Sequence, residues 1–370
     1  MDESRSLYAE NITFATLAEL TAEARENLAP EVWDFLESGS GEEQTLRANR
    51  LAFERRHFVP RVMSGAAAPA TETEFLGMRL AVPFLTAPFG GDGLFAPDGH
   101  LATARANAAR GAGMIVPEAG SHSLSEIAAA APSLPRLFQL HPIEPAERFL
   151  RLAADARASG YTGLCVTVDC PVAGWRERNM SNRFAPDLAH FAGNFDGDGD
   201  VGVAEMFTHL MSPDNPTWTW ERLGEVCAEA GLPWMAKGIL DPGDARLAVA
   251  VGASAVLVSN HGGRQLDGAI ASLDALPAIA AAVGDRAEIA FDSGIRRGSD
   301  AAKALALGAD VVVLGRLAAH ALAAAGRAGV ERMHDLLLQE LRTIMMLCGC
   351  SHPTELRERI RIDVGNSGRT

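Results

Sequence analysis

Residues 288–316 read EIAFDSGIRRGSDAAKALALGADVVVLGR. A β-rich run (288–292) ends in a glycine-containing loop, an Ala-rich helical segment bracketed by Ser299 and Gly308 follows, and a second β-rich run (311–316) closes the unit. Strand, helix, strand is the repeating piece of a parallel sheet connected by helices. The same alternation extends outward from here. Runs at 84–90, 114–118, 137–141, 164–170, 234–239 and 255–260 join these two to give eight strand candidates. Asp241 and Pro242 suit the N-cap and first position of the helix after the fifth run, and Gly252 suits its stop. The pattern predicts an α/β chain, a (β/α)₈ TIM barrel forming a single domain over 1–370.

One interval departs from the repeat. About 70 residues separate the starts of the fourth and fifth runs, and they include a Gly and Asp stretch at 194–202. The reading is a lid insertion after strand 4, at about 178–225, folded over the barrel mouth. Asp196, Asp198 and Asp200 faintly suggest a calcium loop, but Val201 stands where that motif needs Gly and no Glu closes it, so a solvated loop and no metal are expected. Upstream, residues 12–50 read as an N-terminal helical extension with Leu17, Leu20, Ala24 and Leu28 on one face, placed to close the barrel's underside or to reach its top.

Composition bounds the function. A hydrophobic fraction of 48% against 22% charged residues implies a large core, and no apolar run approaches the roughly 20 residues that span a bilayer. Met1 to Asn11 carries Asp2, Glu3 and Glu10 and has no export-signal pattern, so a cytoplasmic protein is expected. A net charge of −14 argues against nucleic acid or an anionic membrane as partner. The five cysteines, Cys165, Cys170, Cys227, Cys348 and Cys350, show no metal-ligand spacing and read as buried free thiols.

The chemistry concentrates at strand ends. Ser259-Asn260-His261-Gly262-Gly263-Arg264-Gln265-Leu266-Asp267-Gly268 starts where the sixth strand stops, on the face where barrel enzymes react their substrates. A histidine there can act as a base, the glycines let backbone approach a flat ligand, and Arg264 can fork onto a carboxylate. A lone histidine would more often be a hydrogen-bonded structural side chain; the surrounding run favours the chemical reading. Beyond the seventh and eighth strands, Gly294 and Gly315 offer backbone N–H groups to a phosphate that Arg296 or Arg316 can neutralise, although Arg316 can instead pair with a neighbouring carboxylate.

SNHGGRQLDG, FDSGIRRGSDAAKALALGAD and LGR together resemble the FMN-dependent 2-hydroxy acid dehydrogenases and oxidases, glycolate and lactate oxidases among them, from about residue 12 to the C-terminus. The resemblance implies FMN as cofactor, oxidation of a small carboxylate substrate to a 2-oxo acid with flavin N5 as hydride acceptor, oxygen or another electron acceptor, and a homo-oligomer, commonly a homotetramer. It implies His261 as base, Asp169 as its orienting carboxylate, Lys237 beside the flavin N1 and C2 carbonyl, and Arg264 and Arg176 on the substrate carboxylate. Gln139 and Thr167 fall on the flavin's polar edge, Ala87 and Pro88 against its ring, Ser259 among the cofactor contacts, and Asp292, Gly294, Arg296, Gly315 and Arg316 on ribityl and phosphate.

This sequence departs from the family at two substrate-facing tyrosines, replaced by Phe35 and His141, and at Glu118, where the family usually has small hydroxyl residues. Each lost hydrogen bond to a charged group removes roughly 1.5–3 kcal/mol. His141 can substitute for the missing phenol as a donor. Glu118 would repel an acid unless paired with Arg176 or His141, and can equally form an outward ion pair. Simple glycolate or lactate is therefore disfavoured. A 2-hydroxy acid of unusual size or polarity is expected, with an amine-bearing or natural-product substrate, or a non-catalytic flavin-binding barrel, as alternatives.

Overall fold

The computed structural model describes residues 13–195, 202–212, 214 and 217–362. Eight parallel strands close a barrel: β1 (Phe84–Thr86), β2 (Gly113–Val116), β3 (Arg136–Leu140), β4 (Gly163–Thr167), β5 (Trp234–Ile239), β6 (Ala255–Val258), β7 (Glu288–Phe291) and β8 (Val311–Leu314), with β8 pairing back onto β1. They are the eight runs expected. Both faces of each strand are buried, which is why the runs are apolar throughout.

Alternation still sorts their side chains. Phe84, Met114, Val116, Phe138, Leu164, Ala236, Val256, Ile289 and Val312 pack outward into the helical shell. Leu85, Ile115, Leu137, Cys165, Met235, Leu257, Ala290 and Val313 fill the interior. Two residues beyond each interior position lies the next inward-facing one, and those are Ala87, Pro117, Gln139, Thr167, Lys237, Ser259, Asp292 and Gly315. The strand period therefore places the polar candidates on top of a packed apolar floor.

A β-hairpin closes the other end. Thr73–Phe75 pairs antiparallel with Met78–Leu80, and Phe75, Leu76, Met78 and Leu80 join the interior apolar layer. Three-residue strands leave too little periodicity to be read from sequence. Three N-terminal helices, α1 (Leu17–Asn27), α2 (Pro30–Glu37) and α3 (Gln44–Glu54), take the other route offered above. Leu20 and Ala24 of α1 are buried, and α1 packs against the C-terminal helical segment Arg316–Cys348, which is broken by a kink at Ala325–Gly326, while α2 and α3 reach the barrel mouth.

Asp241 caps the helix Pro242–Ala250 as expected, accepting from the N–H groups of Gly243 and Asp244. The bracket at Ser299 needs correction: the helix Gly298–Ala306 is entered from Arg297, two residues before Ser299, and the carboxylate of Glu340 takes the N–H of Gly298 at 2.9 Å. The excursion after β4 contains the helices Glu177–Ser181 and Val203–Met211, but Trp220–Ala230 already packs in the shell, so the insertion ends before 220 rather than near 225. Asp196, Asp198, Asp200 and the segment Met1 to Asn11 lie outside the described residues. No helix among the described residues is long and apolar enough to cross a membrane. All five cysteines are free; Cys170 alone is only partly buried.

Because Phe75 is wholly buried against the barrel floor, Phe75→Ala should cost about 3–5 kcal/mol. A denaturant titration reads the loss, and a variant as stable as the parent would mean that the hairpin does not seal the barrel.

Candidate active site

A cavity of about 1130 Å³ opens at the C-terminal ends of the strands. It exceeds the ~300–1,000 Å³ typical of a single small-ligand pocket. Ala87, Pro88, Gln139, Thr167, Lys237, Asp292, Gly294 and Gly315 line its base, and Phe35, Met180, Phe184, Phe191, Met206 and Phe207 line its upper wall. His141, Arg176, His261, Arg264, Arg296 and Arg316 also face it. Among the residues expected at the site, Asp169 and Ser259 do not line the cavity. Asp169 lies behind His261, and Ser259 is fully buried, its Oγ accepting the His261 N–H at 3.0 Å.

His261 starts the turn His261–Gly263 beyond β6, and it and both glycines have positive φ (57°, 66° and 75°). A non-glycine residue in this region needs support. Asn260 supplies it: its carboxamide exchanges hydrogen bonds of 2.7 and 2.9 Å with Asn49 of α3 and accepts from Gly263 N–H at 3.1 Å. The sequence reading missed Asn49, whose partner lies 211 residues away.

Both carboxylate oxygens of Asp169 lie 3.1 Å from His261 Nδ1. An ionised carboxylate only accepts, so Nδ1 carries the proton and Nε2 is left for the cavity. Lys237 Nζ approaches to 3.1 Å from Nδ1 and 3.8 Å from Asp169 Oδ1. Room for Asp169 comes from Gly238, with φ of 110° at an irregularity in β5, where a Cβ would fall 2.4 Å from the aspartate side chain. Burial would raise the pKa of Asp169, but the Lys237 ammonium and the hydrogen bond from His261 hold it well below the usual carboxylate range. Burial first, and the Lys237 ammonium second, push His261 down to about 4 against the opposing pull of Asp169. The imidazole is therefore neutral near pH 7, as a base must be.

The arginines are engaged with α2. Arg264 Nη1 donates to the carbonyls of Phe35, Ser38 and Leu36 at 2.7, 3.0 and 3.3 Å. Arg316 donates to Leu36, Gly262 and Ser38 at 3.0, 2.8 and 3.0 Å. Two guanidinium groups thus satisfy the free carbonyls at the end of α2. Arg296 Nη2 holds the Glu37 carboxylate at 3.0 Å, His320 Nε2 lies 2.8 Å from it, and Arg316 Nε is 3.9 Å away. The carboxylate alternative raised for Arg316 is thus realised, loosely, through Glu37. Burial opposes ionisation of Glu37, but His320 and the arginines keep its pKa well below the usual range. Arg176 leans on the Arg264 carbonyl at 3.4 Å.

Glu118 does not face the cavity. It is fully buried, accepts from both the backbone N–H and Nδ1 of His141 at 2.9 Å, and is paired with Arg148. Burial raises its pKa, but His141 and Arg148 bring it down to about 2. Both anticipated contacts form: the hydrogen bond with His141, and an outward ion pair whose partner is Arg148. Arg148, on the helix Ala146–Ala158, was not foreseen.

These features fit FMN. The helix Arg316–Cys348 begins at Gly315 without a side-chain cap, so its first N–H groups are open to an anion beside the cavity. Gly294 presents backbone opposite, and Lys237 supplies a buried cation at the cavity base.

Compared with known proteins, residues 24–362 match the family described as FMN-dependent dehydrogenase. The chain is similar to an L-lactate oxidase of Nostoc sp., 43% identical over 338 residues, covering 89% of this chain and 92% of the relative. It is 42% identical over 344 residues to a 4-hydroxymandelate oxidase of Amycolatopsis orientalis, covering 92% and 96%. Its fold matches a crystal structure of mandelate oxidase with a TM-score of 0.87 at 40% identity, covering 95% and 99% of the two chains. A mandelate oxidase structure with (S)-2-phenylpropionate gives 0.86 at 40% identity over the same shares.

In the ligand-free protein, the His261 ring should titrate near pH 4, below its ordinary 6.5. Between those values the unfolded chain binds more protons, so this histidine lowers stability as the pH falls through that window. Asp169→Asn removes the anion that favours imidazolium and should move the titration lower still. Histidine NMR resolves this, and an upward shift would contradict the assigned geometry.

Proposed function

Since this chain belongs to the FMN-dependent dehydrogenase family, we propose that its substrate is a 2-hydroxy acid with an aromatic or similarly bulky apolar side chain. The chain is an FMN-dependent oxidoreductase that converts the CH–OH of a 2-hydroxy acid to the 2-oxo acid. The upper wall of the cavity carries the choice of substrate. Phe35 stacks on Phe184 at 4.8 Å between centroids and meets Phe191 edge-on at 6.3 Å, and Phe191 meets Phe207 at 5.2 Å. Burying ~150 Å² of an aryl ring there contributes roughly 4 kcal/mol at ~25 cal/mol per Å², against about 0.8 kcal/mol for a single methyl group. The difference favours an aryl acid over lactate. Mandelate and hydroxymandelate oxidases among the relatives support the same choice.

FMN, when bound, supplies the two-electron acceptor, and Ala87, Pro88, Gln139, Thr167, Lys237, Asp292, Gly294, Arg296, Gly315 and Arg316 would hold it. His261 Nε2 takes the proton from the substrate, and Asp169, already accepting from Nδ1, stabilises the imidazolium that forms. Arg264 and Arg176 receive the substrate carboxylate; Arg264 commits only Nη1 to α2, which leaves its other nitrogens for this task. Glu118 does not repel the acid, since Arg148 neutralises it and it lies outside the cavity lining. By accepting from Nδ1–H of His141, Glu118 leaves the other ring nitrogen as an acceptor, a polar contact for a substrate hydroxyl rather than the donor a phenol would be. A homo-oligomer is supported by an exposed apolar patch in which Val62 and Met63 neighbour Met346 and Leu347.

Anaerobic bleaching of the flavin by a panel of 2-hydroxy acids tests the proposal. Mandelate-like acids should exceed lactate in kcat/KM by roughly 10²-fold, the equivalent of about 3 kcal/mol; equal or better reaction with lactate would reject the aryl assignment. His261→Asn should slow bleaching by about 10²–10⁴-fold with FMN still bound. His141→Phe should lower turnover by roughly tenfold while flavin affinity holds. Parental turnover in that variant would remove His141 from the substrate's surroundings.

A further inference from the structure

We propose that Asp169, Cys170 and His261 form a binding site for a thiophilic divalent cation, with zinc as its representative, and that occupancy of this site switches the enzyme off. Three ligand types converge here. Cys170 Sγ lies 3.5 Å from His261 Nδ1 and 3.6 Å from Asp169 Oδ1, and Nδ1 lies 3.1 Å from Asp169 Oδ1. Tetrahedral zinc, with bonds of about 2.0 Å to N or O and 2.3 Å to S, separates an N–O pair by about 3.3 Å and an S–N or S–O pair by about 3.5 Å. The three separations already match those edges to within about 0.2 Å.

The atoms are also pre-placed and reachable. Asp169 and Cys170 are consecutive beyond β4, His261 follows β6, and Gly238 and the Asn49–Asn260 pair fix both strand ends. Cys170 and His261 line the cavity, so an ion can enter from the mouth and keep water as its fourth ligand. One sulfur, one imidazole and one carboxylate suit zinc better than magnesium or calcium, which prefer oxygen alone. Without metal, burial and the adjacent Asp169 keep the Cys170 thiol protonated. Binding therefore exchanges one thiol proton for a zinc–thiolate bond and releases that proton to solvent. The Lys237 ammonium, 3.1 Å from Nδ1 and 3.8 Å from Asp169, competes for the same two atoms. That competition makes the site weaker than a structural zinc centre and its occupancy reversible.

The inhibitory half rests on the proposed role of His261. Zinc on Nδ1 forces the ring proton onto Nε2, the nitrogen that must accept the substrate's proton, and withdraws Asp169 from its task. Binding itself does not depend on that role.

The test is a titration of the FMN-loaded enzyme with zinc chloride and, separately, with cobalt(II) chloride. Zinc should inhibit flavin bleaching with one ion per protomer, and a chelator should restore it. Cobalt should give the ligand-field bands of a tetrahedral thiolate site. In Cys170→Ala, with inhibition expressed relative to that variant's own zinc-free rate, the zinc midpoint should rise by at least about tenfold and the cobalt bands should vanish; Cys170→Thr serves as a second thiol-free variant. Absent bands, or equal zinc sensitivity in parent and thiol-free variants, would overturn the site. Cobalt bands without any inhibition would leave the metal site standing and refute both the switch and the assignment of His261 as base.

Discussion

Asp169 lies 3.1 Å from the imidazole of His261 and 3.8 Å from the ammonium of Lys237, and these contacts decide the charge at the barrel mouth. The buried ammonium needs that counter-ion, and so would the imidazolium formed when His261 takes up a proton. The carboxylate in turn needs a notch in the neighbouring strand, which Gly238 provides by lacking a Cβ. The imidazole and the ammonium that line the cavity thus depend on one side chain that does not line it.

A second carboxylate repeats the device with a different outcome. Glu118 holds His141 through the same ring nitrogen that Asp169 uses on His261. Its companion is Arg148 rather than a lysine, and that guanidinium lies outside the cavity lining, so its charge stays local. One imidazole is governed by an ammonium that faces the ligand, and the other is insulated from it. The two histidines consequently share a cavity with separate electrostatic surroundings.

Much of this was legible in the sequence, for a physical reason. Buried parallel strands announce themselves as short apolar runs, and a period of two then carries Gln139, Thr167, Lys237 and Asp292 to the top of the apolar floor. What stayed hidden depends on partners far away in the chain. Glu340 takes an N–H at a helix start, Asn49 locks the histidine turn, and Glu37 with the α2 carbonyls occupies arginines that local spacing reserves for ligands. The hairpin at 73–80 was too short to show a pattern. Glu118 was legible as an anomaly, but whether it pointed inward or outward was settled only by the position of Arg148.

The hairpin has a kinetic meaning as well as a structural one. With Phe75, Leu76, Met78 and Leu80 corking the far end, and the interior filled by Leu85, Ile115, Leu137 and Met235, the described residues close the barrel opposite its mouth. Visitors to the cavity then pass the aromatic wall at the strand C-termini. The tenure of each visitor, rather than the speed of bond making, then becomes a quantity that residues such as Phe184 and Phe207 can tune.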